Sequence, residues 1–248
     1  VLLVMSKSIY VFSSGKLERK HNTIYFEDSE GKRKYIPIEN TRELHIFGEV
    51  SLNKKILEYL SQKEILLHFY NYYGYYSGSF YPLEHYNSGY LILKQAEHYL
   101  DEEKRLILAK SFVRGALQNM EKVLKYYGNR GIELSPLIEK INSFSQSAEE
   151  QNTIERLMAI EGNARQIYYS SFDLIVQKED FTMEGRTKRP PENRMNALIS
   201  FGNSLLYTTV LSEIYKTHLD PRIGYLHATN FRRFTLNLDV AEIFKPIL

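Results

Sequence analysis

The sequence predicts an α+β fold in which an N-terminal β-rich domain is followed by an all-α domain, and three observations carry that reading. From Ser6 to Tyr81 short β-branched and aromatic runs are broken by turn residues. From Ile92 onward apolar residues recur at helical spacing instead. Between them Pro82 to Gly89 reads as a connector, which gives expected domains over 5–82 and 90–248.

In the first half, Ile9-Tyr10-Val11-Phe12 is a strand run stopped by Ser13-Ser14-Gly15, and Thr23-Ile24-Tyr25-Phe26 leads into Asp28-Ser29-Glu30-Gly31, a hairpin turn. Lys34 to Ile38 and Leu44 to Phe47 continue the pattern, a helix is expected near Leu52 to Ser61, and Ile65 to Phe69 and Tyr72 to Tyr81 resume it, with Gly74 and Gly78 as turn or bulge positions. The run Tyr70-Asn71-Tyr72-Tyr73-Gly74-Tyr75-Tyr76 admits two readings, nucleobase stacking or aromatic packing within the sheet or an interface. Packing is favoured, because tyrosine forms strands well and cross-strand aromatic pairs stabilise small sheets.

In the second half, Ile92, Ala96, Tyr99, Leu106, Ala109, Val113, Leu117, Met120, Leu124 and Tyr127 line one face of a single long amphipathic helix ending near Gly128. Further helices are expected over Pro136 to Asn142, Glu149 to Gln177 and Met195 to Thr217. No internal repeat points to a solenoid.

Composition excludes several classes. The 248 residues and 43% hydrophobic content suffice for a buried core, and the net charge of +2 is too small to argue for nucleic acid unless the charge is local. There is no cysteine, so disulfides, thiolate metal sites and a cysteine nucleophile are ruled out. No run approaches the ~18 apolar residues of a membrane span, and Val1 to Val4 are too short for a signal-peptide core. Met5 reads as a natural start, and the apolar ending Phe244-Lys245-Pro246-Ile247-Leu248 directly after a charged motif leads us to expect a further C-terminal segment.

Two places carry chemistry. Glu161 lies three or four residues from Leu157, Met158, Ala164 and Arg165, on the apolar face of its helix. A buried carboxylate must be paired, protonated or bound to a cation, and Arg165 one turn on is the obvious salt-bridge partner. Gly162 beside it costs about 1 kcal/mol relative to alanine in a helix, which suggests close approach to the backbone there. The second place is Gly224-Tyr225-Leu226-His227 followed by Leu238-Asp239-Val240-Ala241-Glu242, where Asp239 and Glu242 share a helix face. A histidine and two acids are a ligand set for a hard divalent ion, although spacing alone favours the plainer reading, a polar contact beside a solvated face.

Taken together, these segments resemble the CRISPR-associated protein 1 family of spacer-acquisition integrases across nearly the whole chain. Ile9 to Gly15, Tyr35-Ile36-Pro37-Ile38-Glu39-Asn40 and Ile46-Phe47-Gly48-Glu49-Val50 resemble strands of its β domain. Ile160-Glu161-Gly162-Asn163-Ala164-Arg165-Gln166-Ile167-Tyr168 resembles its glutamate motif, and Arg189 to Gly202 with Leu205-Leu206-Tyr207 its connecting motif. Gly224 to His227 and Leu238 to Pro246 resemble its histidine and aspartate motifs.

The resemblance implies a dimerising β domain and a helical catalytic domain in a cytoplasmic, homodimeric DNA integrase. Glu161, His227 and Asp239 are the implied catalytic metal ligands for Mg²⁺ or Mn²⁺, with Glu242 an additional acid near the site. The implied reaction is attack of a spacer-precursor 3′ hydroxyl on a phosphodiester of the CRISPR repeat at its leader border. It needs no covalent protein–DNA intermediate, so Tyr168 and Tyr207 need not be nucleophiles. Arg165, Arg186, Lys188, Arg189, Arg232 and Arg233 are candidate contacts to the DNA backbone. A CRISPR-associated protein 2 dimer is the implied bridging partner. The rival readings are a structure-specific, metal-dependent endonuclease on branched DNA and a non-catalytic DNA-binding scaffold.

Overall fold

The computed structural model describes residues 7–82, 88–183, 185–188, 190–229 and 234–248. The chain divides into two compact units, 1–85 and 86–248. Mixed sheets make up the first and helices the second.

The first unit holds two four-stranded sheets. One is ordered β4(Arg33–Ile36), β3(Thr23–Asp28), β2(Gly15–Lys20), β6(Val50–Leu52), antiparallel but for the parallel β2–β6 pair. The other is ordered β1(Lys7–Val11), β5(Thr41–Ile46), β7(Leu66–Tyr70), β8(Tyr76–Phe80), parallel up to β7 and antiparallel at β8. Helix α1(Lys54–Gln62) begins at Asn53, whose side chain accepts the Ile56 N–H and so satisfies an otherwise orphaned donor. Leu17, Ile24, Leu44, Ile56, Leu60 and Leu67 meet in one fully buried cluster; fully burying a leucine or isoleucine stabilises by about 1.5–3 kcal/mol.

The expected hairpin at Asp28 is present, with the Asp28 carboxylate accepting the N–H groups of Glu30 and Lys32. Strand β2 was not foreseen, because Gly15-Lys16-Leu17-Glu18-Arg19-Lys20 turns only Leu17 fully inward. The expected strand over Tyr72 to Tyr81 is shortened: Asn71 to Tyr75 form a turn in which Gly74 takes φ of 77° and Asn71 caps the Tyr73 and Tyr75 N–H groups. Gly78 stays in the strand opposite Phe69, beside a register shift. The tyrosine run therefore splits: Tyr70 is buried and stacked on Phe47 at 4.2 Å, while Tyr72 and Tyr73 at the turn are almost fully exposed.

In the second unit, the helix expected to run unbroken to Gly128 is two helices, α2(Gly89–Leu100) and α3(Glu102–Gly128). They meet at Asp101, whose backbone is extended and whose carboxylate caps the Lys104 N–H. Helix α4(Ser135–Glu150) starts with Pro136 in its first turn and runs past the expected end at Asn142. Glu149 and Glu150 consequently belong to α4, and α5(Ile154–Tyr169) begins at a Thr153 cap rather than at Glu149. It gives way at Ser170 to the short α6(Phe172–Val176). Helix α7(Arg194–Tyr215) is capped by Asn193, and α8(Thr235–Phe244) runs into a 3-10 turn, Lys245–Ile247.

Ala109, Val113, Leu117, Met120 and Leu124 form the buried stripe of α3, packed with Ile141 and Ala148 of α4, Leu157, Ala164 and Tyr168 of α5, and Leu226. This core presses one face of α5 against the protein and carries Glu161 inward with it. A second cluster joins Val210 and Ile214 of α7 to Tyr225 and to Leu236 and Ala241 of α8. Among the described residues no helix is long and apolar enough to cross a membrane.

Candidate active site

Helices α5 and α8 each carry buried acids: Glu161 is 8% exposed, Glu242 3% and Asp239 0%. Nη2 of Arg165 donates to Oε1 of Glu161 and to Oε2 of Glu242, so a single guanidinium bridges the two helices. Lys245, one turn past Glu242, donates to its other oxygen at 2.6 Å and lies 5.1 Å from the Tyr207 ring centroid. Two carboxylates thus meet two cationic side chains in a largely buried place. Burial holds the Glu161 carboxyl above the usual carboxylate range and the Glu242 charge adds to the effect, against the pull of Arg165 and Lys245. For Arg165, burial works against the charge, but Glu242 and Glu161 outweigh it and keep the guanidinium above its ordinary value.

Asp239 is occupied differently. Its Oδ2 accepts the N–H groups of Tyr225 and Leu226 at 2.5 and 2.9 Å, and its Oδ1 accepts the His227 N–H at 3.0 Å and pairs with His227 Nδ1 at 2.8 Å. Both oxygens are spent on the segment that carries the histidine, and the acid leaves Nε2 as the ring nitrogen it does not engage. Thr235, at the start of α8, binds the same segment, accepting the Gly224 N–H at 2.9 Å and donating to the Arg222 carbonyl at 2.7 Å. Gly224 is required there, since a Cβ would come within 2.5 Å of the Thr235 backbone.

The three residues singled out as metal ligands therefore fall into two groups, Glu161 with Glu242 and His227 with Asp239. Asp239 and Glu242 are one turn apart on α8, which puts their Cβ atoms about 5–6 Å apart and brings the two groups to the same stretch of helix. As the side chains stand, no three His, Asp or Glu among the described residues are gathered to hold a metal ion. The paired carboxylates nonetheless fit a hard divalent cation, having oxygen donors, burial and a positive charge already drawn between them.

The basic candidates separate as well. Arg165 is the bridge just described. Arg186 ties its loop to α7, donating to the Thr187 carbonyl, to Asn196 at 2.9 Å and to Ser200 at 3.0 Å. Lys188 lies beside the acidic cluster: burial first, then Arg165, Arg186 and Lys245, lower its pKa. Arg189, Arg232 and Arg233 lie outside the described residues. Tyr168 is buried and donates to the Pro246 carbonyl at 2.6 Å, which is packing work. Above Gly162 the expected close neighbour is missing, because a Cβ there would meet nothing within 4 Å. Lys245 is the residue that the sequence reading passed over, although its three-residue spacing from Glu242 is a pairing signal.

Residues 9–248 match the family model described as CRISPR associated protein Cas1. The chain belongs to that family. A relative from Thermodesulfovibrio yellowstonii named CRISPR-associated endonuclease Cas1 2 is 68% identical over 98% of this chain and 74% of its own length. A second, CRISPR-associated endonuclease Cas1 from Thermotoga maritima, is 58% identical over 97% of this chain and 73% of its own. The solved structure of a CAS1 protein from Thermotoga maritima superposes with a TM-score of 0.87 at 58% identity, covering 97% of this chain and 75% of that one. A casposase bound to integration product shares the fold alone, with a TM-score of 0.82 at 18% identity over 97% of this chain and 70% of the casposase. The order seen here, mixed sheets and then helices, is that of the Cas1 structure.

Proposed function

We propose that this Cas1 family member is a metal-dependent DNA integrase that inserts spacer DNA into CRISPR arrays. The observation that carries the reading is the buried Glu161–Glu242 pair held together by cationic side chains, with Asp239, one turn from Glu242 on α8, fixing the His227 imidazole in orientation. In this reading Glu161, Glu242 and His227 would hold Mg²⁺ or Mn²⁺, and the role first expected of Asp239 as a direct ligand would pass to Glu242. Asp239 keeps His227 in one tautomer and orientation, the usual work of an acid behind a metal-binding histidine. Glu161 and His227 keep the roles expected of them.

A cation held there would supply acidification of the attacking hydroxyl and neutralisation of the charge that grows on the phosphate oxygens. The protein's own residues do the rest. Arg165 and Lys245 neutralise the acids until they are needed, and their cationic ends, with Lys188, suit the DNA backbone. The β unit serves a homodimer in the cytoplasm, and CRISPR-associated protein 2 bridges two such dimers. The relatives' endonuclease names favour one second reading, with water in place of the DNA hydroxyl as nucleophile.

Strand joining of a labelled spacer precursor into a supercoiled repeat target, run beside simple cleavage with Mn²⁺, Mg²⁺ or EDTA, tests the proposal. Joining that requires the metal and falls by at least about 10³-fold in Glu161→Gln, with DNA binding retained, is the expected result; that loss corresponds to about 4 kcal/mol of transition-state stabilisation. Metal-dependent cleavage without joining establishes the endonuclease reading, and joining that survives in Glu161→Gln removes that residue from the site.

A further inference from the structure

Gln95 of α2 is a buried amide, 3% exposed, and both of its ends are spent on the backbone of one loop. Its Oε1 accepts the Asp220 N–H at 2.7 Å, and its Nε2 donates to the Asp220 carbonyl at 3.1 Å and toward the Ile223 carbonyl at 3.5 Å. The side chain acts as a neighbouring peptide would, satisfying the donor and the acceptor of a single residue in a buried place where water is not at hand. From α3, Arg105 donates through Nε to the Tyr225 carbonyl at 2.9 Å, its guanidinium 4.4 Å from the Tyr99 ring centroid. The peptide linking Tyr225 to Leu226 is consequently held from both sides, its carbonyl on Arg105 and its N–H on Asp239. The next residue is His227, on the same carboxylate.

We propose that Gln95 and Arg105 are positioning residues for His227: they clamp the segment Asp220–Leu226 so that three consecutive N–H groups and one imidazole converge on Asp239. Neither touches a reacting atom. Gln95 fixes the start of the segment and Arg105 its end, and Gly224 between them lies too close to α8 for any side chain. Asp239 alone could hold a mobile segment in several registers, because an N–H donor is offered by each residue in turn. With two other helices setting where the segment begins and where its last peptide lies, one register remains, and Nε2 points one way. The inference rests on the reading of His227 as a metal ligand for its functional consequence, while the clamp itself is testable without metal.

The test uses the full chain and two variants, Gln95→Met, which keeps volume without the hydrogen bonds, and Arg105→Gln. Arg105→Gln sits in a partly exposed position, so it serves if Gln95→Met does not fold. In metal-free protein, amide hydrogen exchange at Tyr225, Leu226 and His227 should speed up by about tenfold or more while the α4 amides around Ile141 are unchanged; a factor of ten in local opening is what losing one or two hydrogen bonds supplies. Mn²⁺ affinity, read by electron paramagnetic resonance, should weaken by roughly 10-fold. The joining kcat should fall with the KM for DNA unchanged. In a His227→Ala background, Gln95→Met should leave Mn²⁺ affinity where it was. Unchanged exchange at the three amides overturns the clamp, and an equal loss of Mn²⁺ affinity with and without His227 overturns its action through that residue. If the wild-type protein binds no Mn²⁺, the functional proposal fails, and exchange alone decides the clamp.

Discussion

Glu43 in the β unit and Glu161 in the helical unit are both buried carboxylates paired with an arginine, yet they are satisfied in opposite ways. Glu43 is completely buried, and Ser8 donates to its Oε1 at 2.6 Å, Arg42 at 3.3 Å. Nε2 of His45 and of His68 face its two oxygens at 3.4 and 3.6 Å. Each imidazole is pinned from behind, His45 by the Tyr70 hydroxyl at 2.8 Å and His68 by Ser79 at 2.6 Å, and the two are register partners on β5 and β7. Burial pushes the His68 imidazole below its usual range, against the pull of the Glu43 carboxylate. Neither imidazole can withdraw without giving up the bond that pins it, to Tyr70 or to Ser79. Around Glu161 and Glu242 the partners are instead the tips of Arg165 and Lys245, which leave by rotating single bonds. Burial of a carboxylate shows that something must neutralise it; whether the neutralising group can be exchanged separates a structural acid from a site.

The comparison can be broken most easily by measuring stability. Glu43→Ala leaves Ser8, Arg42 and two imidazoles around an uncompensated hole, and we expect a loss of about 3 kcal/mol in the β unit with metal-dependent joining per folded molecule unchanged. Denaturant titration followed by hydrogen exchange on the β5 and β7 amides reads it. Asp239→Asn comes next: an amide puts N–H against N–H at one of the positions where Tyr225, Leu226 and His227 now donate to a charge. A cost of about 2 kcal/mol in the helical unit is expected, together with loss of joining.

Glu161→Gln should cost the least of the three, about 1 kcal/mol, because Arg165 keeps Glu242 and no cation is stranded. Thermal melts in EDTA compare it with Glu43→Ala; equal losses would dissolve the distinction. An exposed cluster supplies the baseline. Glu97 bonds to Lys94 at 2.6 Å and Lys104 at 3.0 Å, and these bonds, Lys94 first, lower its pKa from 4.5 to about 2. Because the folded value is depressed, its contribution is complete above pH 4.5 and drains away as pH falls toward 2. The small melting difference between wild type and Glu97→Gln at pH 6 should shrink over that window and vanish at about 1 M salt, where the screening length is ~3 Å. A difference that persists at high salt would mean that Glu97 acts through packing.

Much of the architecture was readable in advance because burial follows periodicity: the stripe from Ala109 to Leu124 is the core face of α3, and Glu161 falls inward because Leu157 and Ala164 do. Strand β2 was hidden, since five of its six residues look outward or sideways and its hydrogen bonds are supplied by β3 and β6. Within the site, sequence spacing showed that Asp239 and Glu242 share a face but not what each face meets. One carboxylate collects backbone N–H groups from a segment twelve to fourteen residues away, and the other meets Arg165 from 77 residues away. Such partners are chosen by tertiary packing, and no local pattern encodes them.

The junction at Asp101 has a reach well beyond its one residue. On an unbroken helix Gln95 and Arg105 would be about 15 Å apart along the axis and roughly 80° apart around it, so they would address different neighbours. The single extended residue turns that rod into a bracket with two arms, and the arms close on residues 220 and 225 of the same loop. A straightening substitution such as Asp101→Ala, by letting α2 and α3 fuse, would pull those arms apart without altering any side chain that touches the histidine.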